Sequence, residues 1–258
     1  MQLFNRIIGD KGPILVILHG LFGSSDNWLT LGRRFAEDGY RVVLTDLRNH
    51  GLSPHSNEFN LATMASDVAE LLEQQPSGKK FLMGHSLGGK VGMQLVLQNQ
   101  FALDGLIVAD IAPRAYTTKH TDVISALKSV DADHLKSRKD VENQLALTIH
   151  DFGVRQWLMK SLYWKEKDQL DWRFNLEVIA DNMDVATQAT EPAAPLSTPT
   201  LFLKGANSDY INQHDMATIN RFFSNARIET IPDAGHWLHA ENPDTTFEKA
   251  QEFLMALR

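Results

Sequence analysis

Apolar residues along this chain fall into short unbroken runs, separated by stretches whose apolar positions repeat at helical spacing. Pro13-Ile-Leu-Val-Ile-Leu-His19-Gly20, Arg41-Val-Val-Leu-Thr-Asp46, Lys80-Phe-Leu-Met83 and Gly105-Leu-Ile-Val-Ala-Asp110 are such runs. Strands buried on both faces read this way, without the alternation of a half-exposed sheet. Between them, Trp28, Leu31 and Phe35 share one helical face, and so do Leu61, Met64, Val68, Leu71 and Leu72. Ser25 or Asp26 is placed to cap the first helix and Gly39 to end it, while Pro76-Ser77-Gly78 ends the second. Strand and helix alternate, which predicts a mostly parallel sheet with helices on both faces.

The rhythm stops after Pro113. From 114 to 195 the pattern predicts amphipathic helices over 123–130, 141–150, 154–164 and 175–183, and no strand. This piece holds three of the five tryptophans, Trp157, Trp164 and Trp172. After the proline-rich stretch Glu191-Pro-Ala-Ala-Pro195 the sheet resumes with Thr200-Leu-Phe-Leu-Lys204. A helix over 215–223, a last strand at Ala226-Arg-Ile-Glu-Thr-Ile-Pro232 and a helix from about Pro243 complete the chain. The expected organisation is an α/β core of 1–113 and 196–258, interrupted by a helical cap of 114–195.

Composition narrows the function classes. The 258 residues are 43% hydrophobic and 22% charged, values of a globular protein with a substantial core. A net charge of −7 without a Lys/Arg cluster argues against a nucleic-acid partner. With no cysteine, disulfides and thiolate zinc sites are excluded, which suits a reducing cytoplasm. The apolar run Ile14–Leu18 is too short for a signal-peptide core or a membrane span. No H-E-x-x-H or paired metal-ligand motif is present, so a metal enzyme is not expected. The chain is expected to be a monomer or a homodimer.

The chemistry centres on Gly84-His85-Ser86-Leu87-Gly88, which lies between an apolar strand and the helical pattern that begins at Lys90. A G-x-S-x-G turn strains the serine backbone and lifts its hydroxyl above the sheet edge. The Leu87 N–H, at the helix N-terminus, is a natural donor for an oxyanion. A serine nucleophile needs a base. Of the ten histidines, His236 fits best, since it follows the last strand in a loop far downstream of Ser86. His85 is locked on the turn, His239 points toward the last helix, His19 supports the loop after its own strand, and His50 is structural.

His19-Gly20-Leu-Phe-Gly23, Asp46-Leu-Arg48-Asn-His-Gly51-Leu-Ser53, Gly84-His-Ser86-Leu-Gly88-Gly and Gly235-His236-Trp237 together resemble the α/β-hydrolase superfamily over nearly the whole chain. Val-Ala-Asp110-Ile-Ala-Pro and Trp172-Arg173-Phe174-Asn175 are similar to small bacterial carboxylesterases related to the abhydrolase-domain-11 proteins. That resemblance implies cofactor-free hydrolysis of small-molecule carboxylic esters or thioesters, acyl-CoA among them. It also implies a second oxyanion donor at the Leu21 N–H, with Phe22 beside it. The commonest pattern would put the acid three residues after Gly205, where this chain has Ser208. Asp110, at the end of its strand, is the preferred acid and Asp209 the alternative, with Ser208 and His19 in support. Trp157, Trp172, Met183 and Trp237 are expected to line the substrate pocket. Carbon–carbon hydrolysis, perhydrolysis, menaquinone-pathway lyase chemistry and a non-catalytic binding protein are the rival readings.

Overall fold

The computed structural model describes residues 1–117, 121–130 and 137–258. Positions 118–120 and 131–136, within the expected cap, lie outside the described residues. Among the described residues, one sheet joins seven strands. They are β1 (Asn5–Ile8), β2 (Ile14–Leu18), β3 (Arg41–Thr45), β4 (Lys80–His85), β5 (Gly105–Ala109), β8 (Thr200–Gly205) and β9 (Ala226–Ile231), in the order β1-β3-β2-β4-β5-β8-β9. Every neighbouring pair is parallel except β1 with β3, and β1 is a short edge strand that the apolar pattern did not reveal.

The unbroken runs are explained by burial on both faces. On β2, Ile14, Val16 and Leu18 pack with α2 (Leu61–Glu73) and α3 (Leu87–Leu97), while Leu15 and Ile17 face Trp28, Phe35 and Phe253. The last three come from the turn Ser25–Trp28, α1 (Leu29–Glu37) and α9 (Pro243–Met255). Ser24, one residue before the expected cap, takes the N-cap position of that turn. Gly39 ends α1 with φ 86°, as expected of a C-terminal glycine.

The piece between β5 and β8 departs from the sequence reading in one respect. Helices α4 (Thr121–Ser129), α5 (Arg138–Ala146), α6 (Phe152–Met159), α7 (Leu176–Asp181) and α8 (Asp184–Thr187) are present, but α6 stops at Met159. A hairpin of β6 (Leu162–Glu166) and β7 (Gln169–Trp172) follows, where no strand was expected. Its two-residue turn, Lys167-Asp168, holds Asp168 at φ 63°, a conformation Asp tolerates better than most residues. The signal was the alternation in Gln169-Leu-Asp-Trp172, whose burial reads half-buried, buried, half-buried, buried. Tryptophans at positions also compatible with helical spacing hid it.

The two ends of this inserted piece are tied to the core by one buried side chain. Lys90 of α3 is fully buried, and its ammonium donates to the Arg114 carbonyl at 2.6 Å and the Gln188 carbonyl at 2.8 Å. The ring of Tyr116 lies 5.1 Å from it. Burial, then the charge of Arg114, pushes this ammonium down to about 7.

Lys90→Met removes both ties and leaves two carbonyls unpaired, at about 1–3 kcal/mol each when buried. The variant should melt lower and be cleaved faster near Arg114 and Gln188 in limited proteolysis. The sign of the pH dependence follows from the lowered pKa. Between about pH 7 and the ordinary lysine value near 10.4, the unfolded chain binds a proton that the folded chain does not, so stability rises with pH. The melting gap between wild type and Lys90→Met should therefore widen from pH 7 to pH 9. A constant or shrinking gap would contradict it.

Candidate functional site

At Ser86 the chain turns from β4 into α3 with φ 50° and ψ −112°, a backbone region costly for any residue with a β-carbon. The turn closes because its glycines are small. A β-carbon on Gly84 would lie 2.2 Å from the Gly88 carbonyl oxygen, and one on Gly88 would lie 2.7 Å from the backbone of β2. The Ser86 N–H donates to the Ala109 carbonyl at 3.0 Å, and the Lys90 N–H to the Ser86 carbonyl at 3.0 Å, so both flanking elements hold the turn. The chain places Leu87 at the first position of α3 and Leu21 in the loop against Ser86, where Gly20 permits the approach.

The carboxyl ends of β4, β5, β8 and β9 share one edge of the sheet, and this edge gathers the candidates. Ser86 Oγ is 3.1 Å from His236 Nε2, and His236 Nδ1 is 2.8 Å from Asp110 Oδ2. Asp110 is completely buried and also sits at a positive φ, 51°. Its other oxygen accepts the Gly205 N–H at 3.0 Å, and Ser208 Oγ hydrogen-bonds to Oδ2. Gly205 lets the His236 loop approach, since a β-carbon there would lie 2.2 Å from the Gly235 carbonyl oxygen. Asp209 is exposed, and its main-chain carbonyl faces the Arg114 guanidinium at 3.4 Å. The geometry thus brings Asp110, and not Asp209, to His236, with Ser208 beside Asp110.

Four further histidines lie buried here, and burial holds each toward its neutral form. His19 is pushed down to about 4, His50 and His239 to about 3, and His85 well below the ordinary value. Partners fix their tautomers. His19 Nε2 accepts the Leu47 N–H at 3.0 Å, so its Nδ1 donates to the Gly20 carbonyl at 2.8 Å. His85 Nε2 donates to the main-chain carbonyl of His236 at 2.8 Å, a contact the sequence reading missed. His239 stacks on Trp28 at 4.3 Å. The Asp46–Ser53 loop supports this arrangement: the Asp46 carboxylate accepts the N–H groups of Ser25 at 2.6 Å and Leu52 at 2.8 Å.

Among the described residues, two cavities of different character meet at Ser86. One, of about 230 Å³, is mainly apolar, with Phe22, Val123, Val154, Trp157 and Trp237 in its wall. The other, of about 280 Å³, carries Arg114, Tyr116, Thr117, Asp209 and Asn212. Leu21 and Tyr210 border both. Trp172 and Met183 line neither, contrary to expectation. Trp172 stacks on Phe174 at 5.4 Å in the core of the inserted piece, and Met183 is buried in the same core. Trp164 is exposed on the hairpin, and Arg173 lies over the Tyr163 ring at 4.5 Å. No group of three His, Asp or Glu side chains among the described residues could hold a metal ion. No helix among them is long and apolar enough to cross a membrane.

Comparison with known proteins agrees with this architecture. Residues 15–249 match the alpha/beta hydrolase family. The chain is 37% identical over 259 residues to the mouse sn-1-specific diacylglycerol lipase ABHD11, spanning 97% of this chain and 84% of that one. Esterase YbfF of Escherichia coli is 34% identical over 95% of this chain and 94% of its own. A solved marine microorganism esterase superposes with a TM-score of 0.93 at 39% identity, covering 98% of this chain and 99% of its own. The chain belongs to the α/β-hydrolase family, within the esterase and lipase branch that includes the abhydrolase-domain-11 proteins.

Proposed function

We propose that this chain is a serine carboxylesterase that hydrolyses small to medium acyl esters through an acyl-enzyme on Ser86. The observation that carries the reading is the line of contacts from Ser86 Oγ to His236 Nε2 at 3.1 Å and from His236 Nδ1 to Asp110 Oδ2 at 2.8 Å. The esterases and lipases among its relatives support it.

In this mechanism His236 removes the Ser86 proton as Oγ attacks the acyl carbonyl. Asp110 orients the imidazole and stabilises its cationic form. The Leu21 and Leu87 N–H groups receive the developing oxyanion, where preorganised donors act most strongly. His236 then returns the proton to the leaving group, and water repeats the sequence on the acyl-enzyme. The apolar cavity takes the acyl chain, and the polar cavity takes the leaving group. Arg114 in the polar cavity pairs with Asp215 at 2.8 Å and lies beside Asp209, so its charge is already balanced. That balance favours an uncharged alcohol over the polyanionic coenzyme A as leaving group.

Ser86→Ala and His236→Ala should each abolish release of p-nitrophenol from p-nitrophenyl esters while leaving the circular dichroism spectrum unchanged. Turnover retained by either variant would exclude this mechanism. Asp110→Asn should lower kcat by about 10⁴-fold, as loss of the orienting carboxylate does in serine proteases, while Asp209→Asn stays near wild type. The reverse ranking would make Asp209 the acid. Trp157→Ala and Trp237→Ala should shift the preferred acyl chain toward longer esters and change kcat on acetate little; Trp172→Ala should instead lower the melting temperature. An unchanged chain-length profile in the first two would move the acyl chain out of the apolar cavity.

A further inference from the structure

The loop after β8 has Ser208 at the position where the commonest family pattern puts its acid, and two residues further on it presents the ring of Tyr210. The Tyr210 ring lies flat on the His236 imidazole, with centroids 3.8 Å apart and planes 17° from parallel. The contact does not depend on the tyrosine hydroxyl, because the Tyr210 backbone is fixed by other groups. Its carbonyl accepts a hydrogen bond from the Tyr116 hydroxyl at 2.5 Å, and that hydroxyl accepts the Ala112 N–H at 2.7 Å. Its N–H donates to Ser208 Oγ at 3.2 Å, and Ser208 in turn bonds to Asp110. One network therefore sets both the carboxylate at the Nδ1 edge of His236 and the aromatic face over its ring.

Resting on the serine-esterase reading above, we propose that Tyr210 is a positioning residue that stabilises the His236 imidazolium through its π face. When Ser86 attacks, its proton passes to Nε2 and the imidazole becomes a cation, which later gives that proton to the leaving group. Asp110 meets the charge at one edge of the ring. The faces of an imidazolium otherwise need water, and one of them is covered by the Tyr210 ring. An aromatic face attracts a cation placed over it, more strongly where water is excluded. The same contact keeps the imidazole plane aligned between Ser86 Oγ and Asp110 Oδ2. His85 completes the support from below, holding the main-chain carbonyl of His236 with its ring 4.7 Å from the imidazole.

The test compares wild type, Tyr210→Phe and Tyr210→Leu on p-nitrophenyl acetate, whose acyl group is too short to fill the apolar cavity. Tyr210→Phe keeps the ring and should stay within about twofold of wild type. Tyr210→Leu keeps bulk and apolarity but has no π face, and its kcat should fall by about 3- to 30-fold with little change in KM. A leucine variant as active as the phenylalanine variant would overturn the proposal, as would a phenylalanine variant as impaired as the leucine one. Should Tyr210→Leu fail to fold, phenylalanines bearing one to three ring fluorines at position 210 take its place. Their size is nearly constant while the π face weakens, so kcat should fall stepwise with fluorination, and a flat series would overturn the proposal. Wild-type turnover that survives Ser86→Ala is a different failure, since it would remove the serine-esterase reading itself and this inference with it.

Discussion

The reversal of the chain at Ser86 is the constraint on which the rest of the site depends. A strand can pass directly into a helix there only if nothing larger than hydrogen occupies Gly84 and Gly88, which face each other at less than a β-carbon's clearance. The cost is a serine held at φ 50°, and the core repays it through both neighbours, with β5 accepting the Ser86 N–H and α3 anchoring its carbonyl. Because β4 is central in the sheet, that hydroxyl stands at the one edge where the loops after β5, β8 and β9 converge. Asp110 repeats the device at the end of β5, with its own positive φ and a carboxylate saturated by Gly205, Ser208 and His236.

Electrostatically the site is built from buried neutral histidines around a single partly exposed one. His19, His85 and His239 are kept uncharged by burial and serve as hydrogen-bonding or stacking pieces, leaving His236 as the histidine in contact with both Ser86 and Asp110. The inserted piece is fastened over this edge by polar contacts to backbone, from Lys90 to both of its junctions and from the Asn175 N–H to the Asn49 carbonyl. Such ties fix where the insertion lies while leaving the apolar wall of Phe22, Trp157 and Trp237 to shape the cavity.

Much of this was legible in the sequence because it is local. Strand runs buried on both faces, the glycines of the Ser86 turn and the histidine after the last strand each announce themselves within a few residues. The preference for Asp110 over Asp209 followed from position on a strand end, and Asp110 Oδ2 lies 2.8 Å from His236 Nδ1. What stayed hidden depends on tertiary approach. The β6–β7 hairpin was masked by tryptophans whose spacing also suits a helix, and β1 is a four-residue edge strand with little apolar signal. Trp172 and Met183 were expected to line the pocket because they are large and lie in the insertion, but only packing distinguishes a wall from a core. Tyr210 stood next to a candidate acid with nothing in the sequence to show that its ring would lie on His236.

A covalent route through Ser86 can be put to trial by intact-protein mass spectrometry after treatment with a serine-reactive alkyl phosphonate. One adduct per chain is expected, mapping to the peptide that contains Ser86, formed in step with loss of ester hydrolysis and absent from Ser86→Ala. Ester hydrolysis that continues in fully labelled protein, or an adduct on any other residue that alone accounts for inhibition, would contradict it.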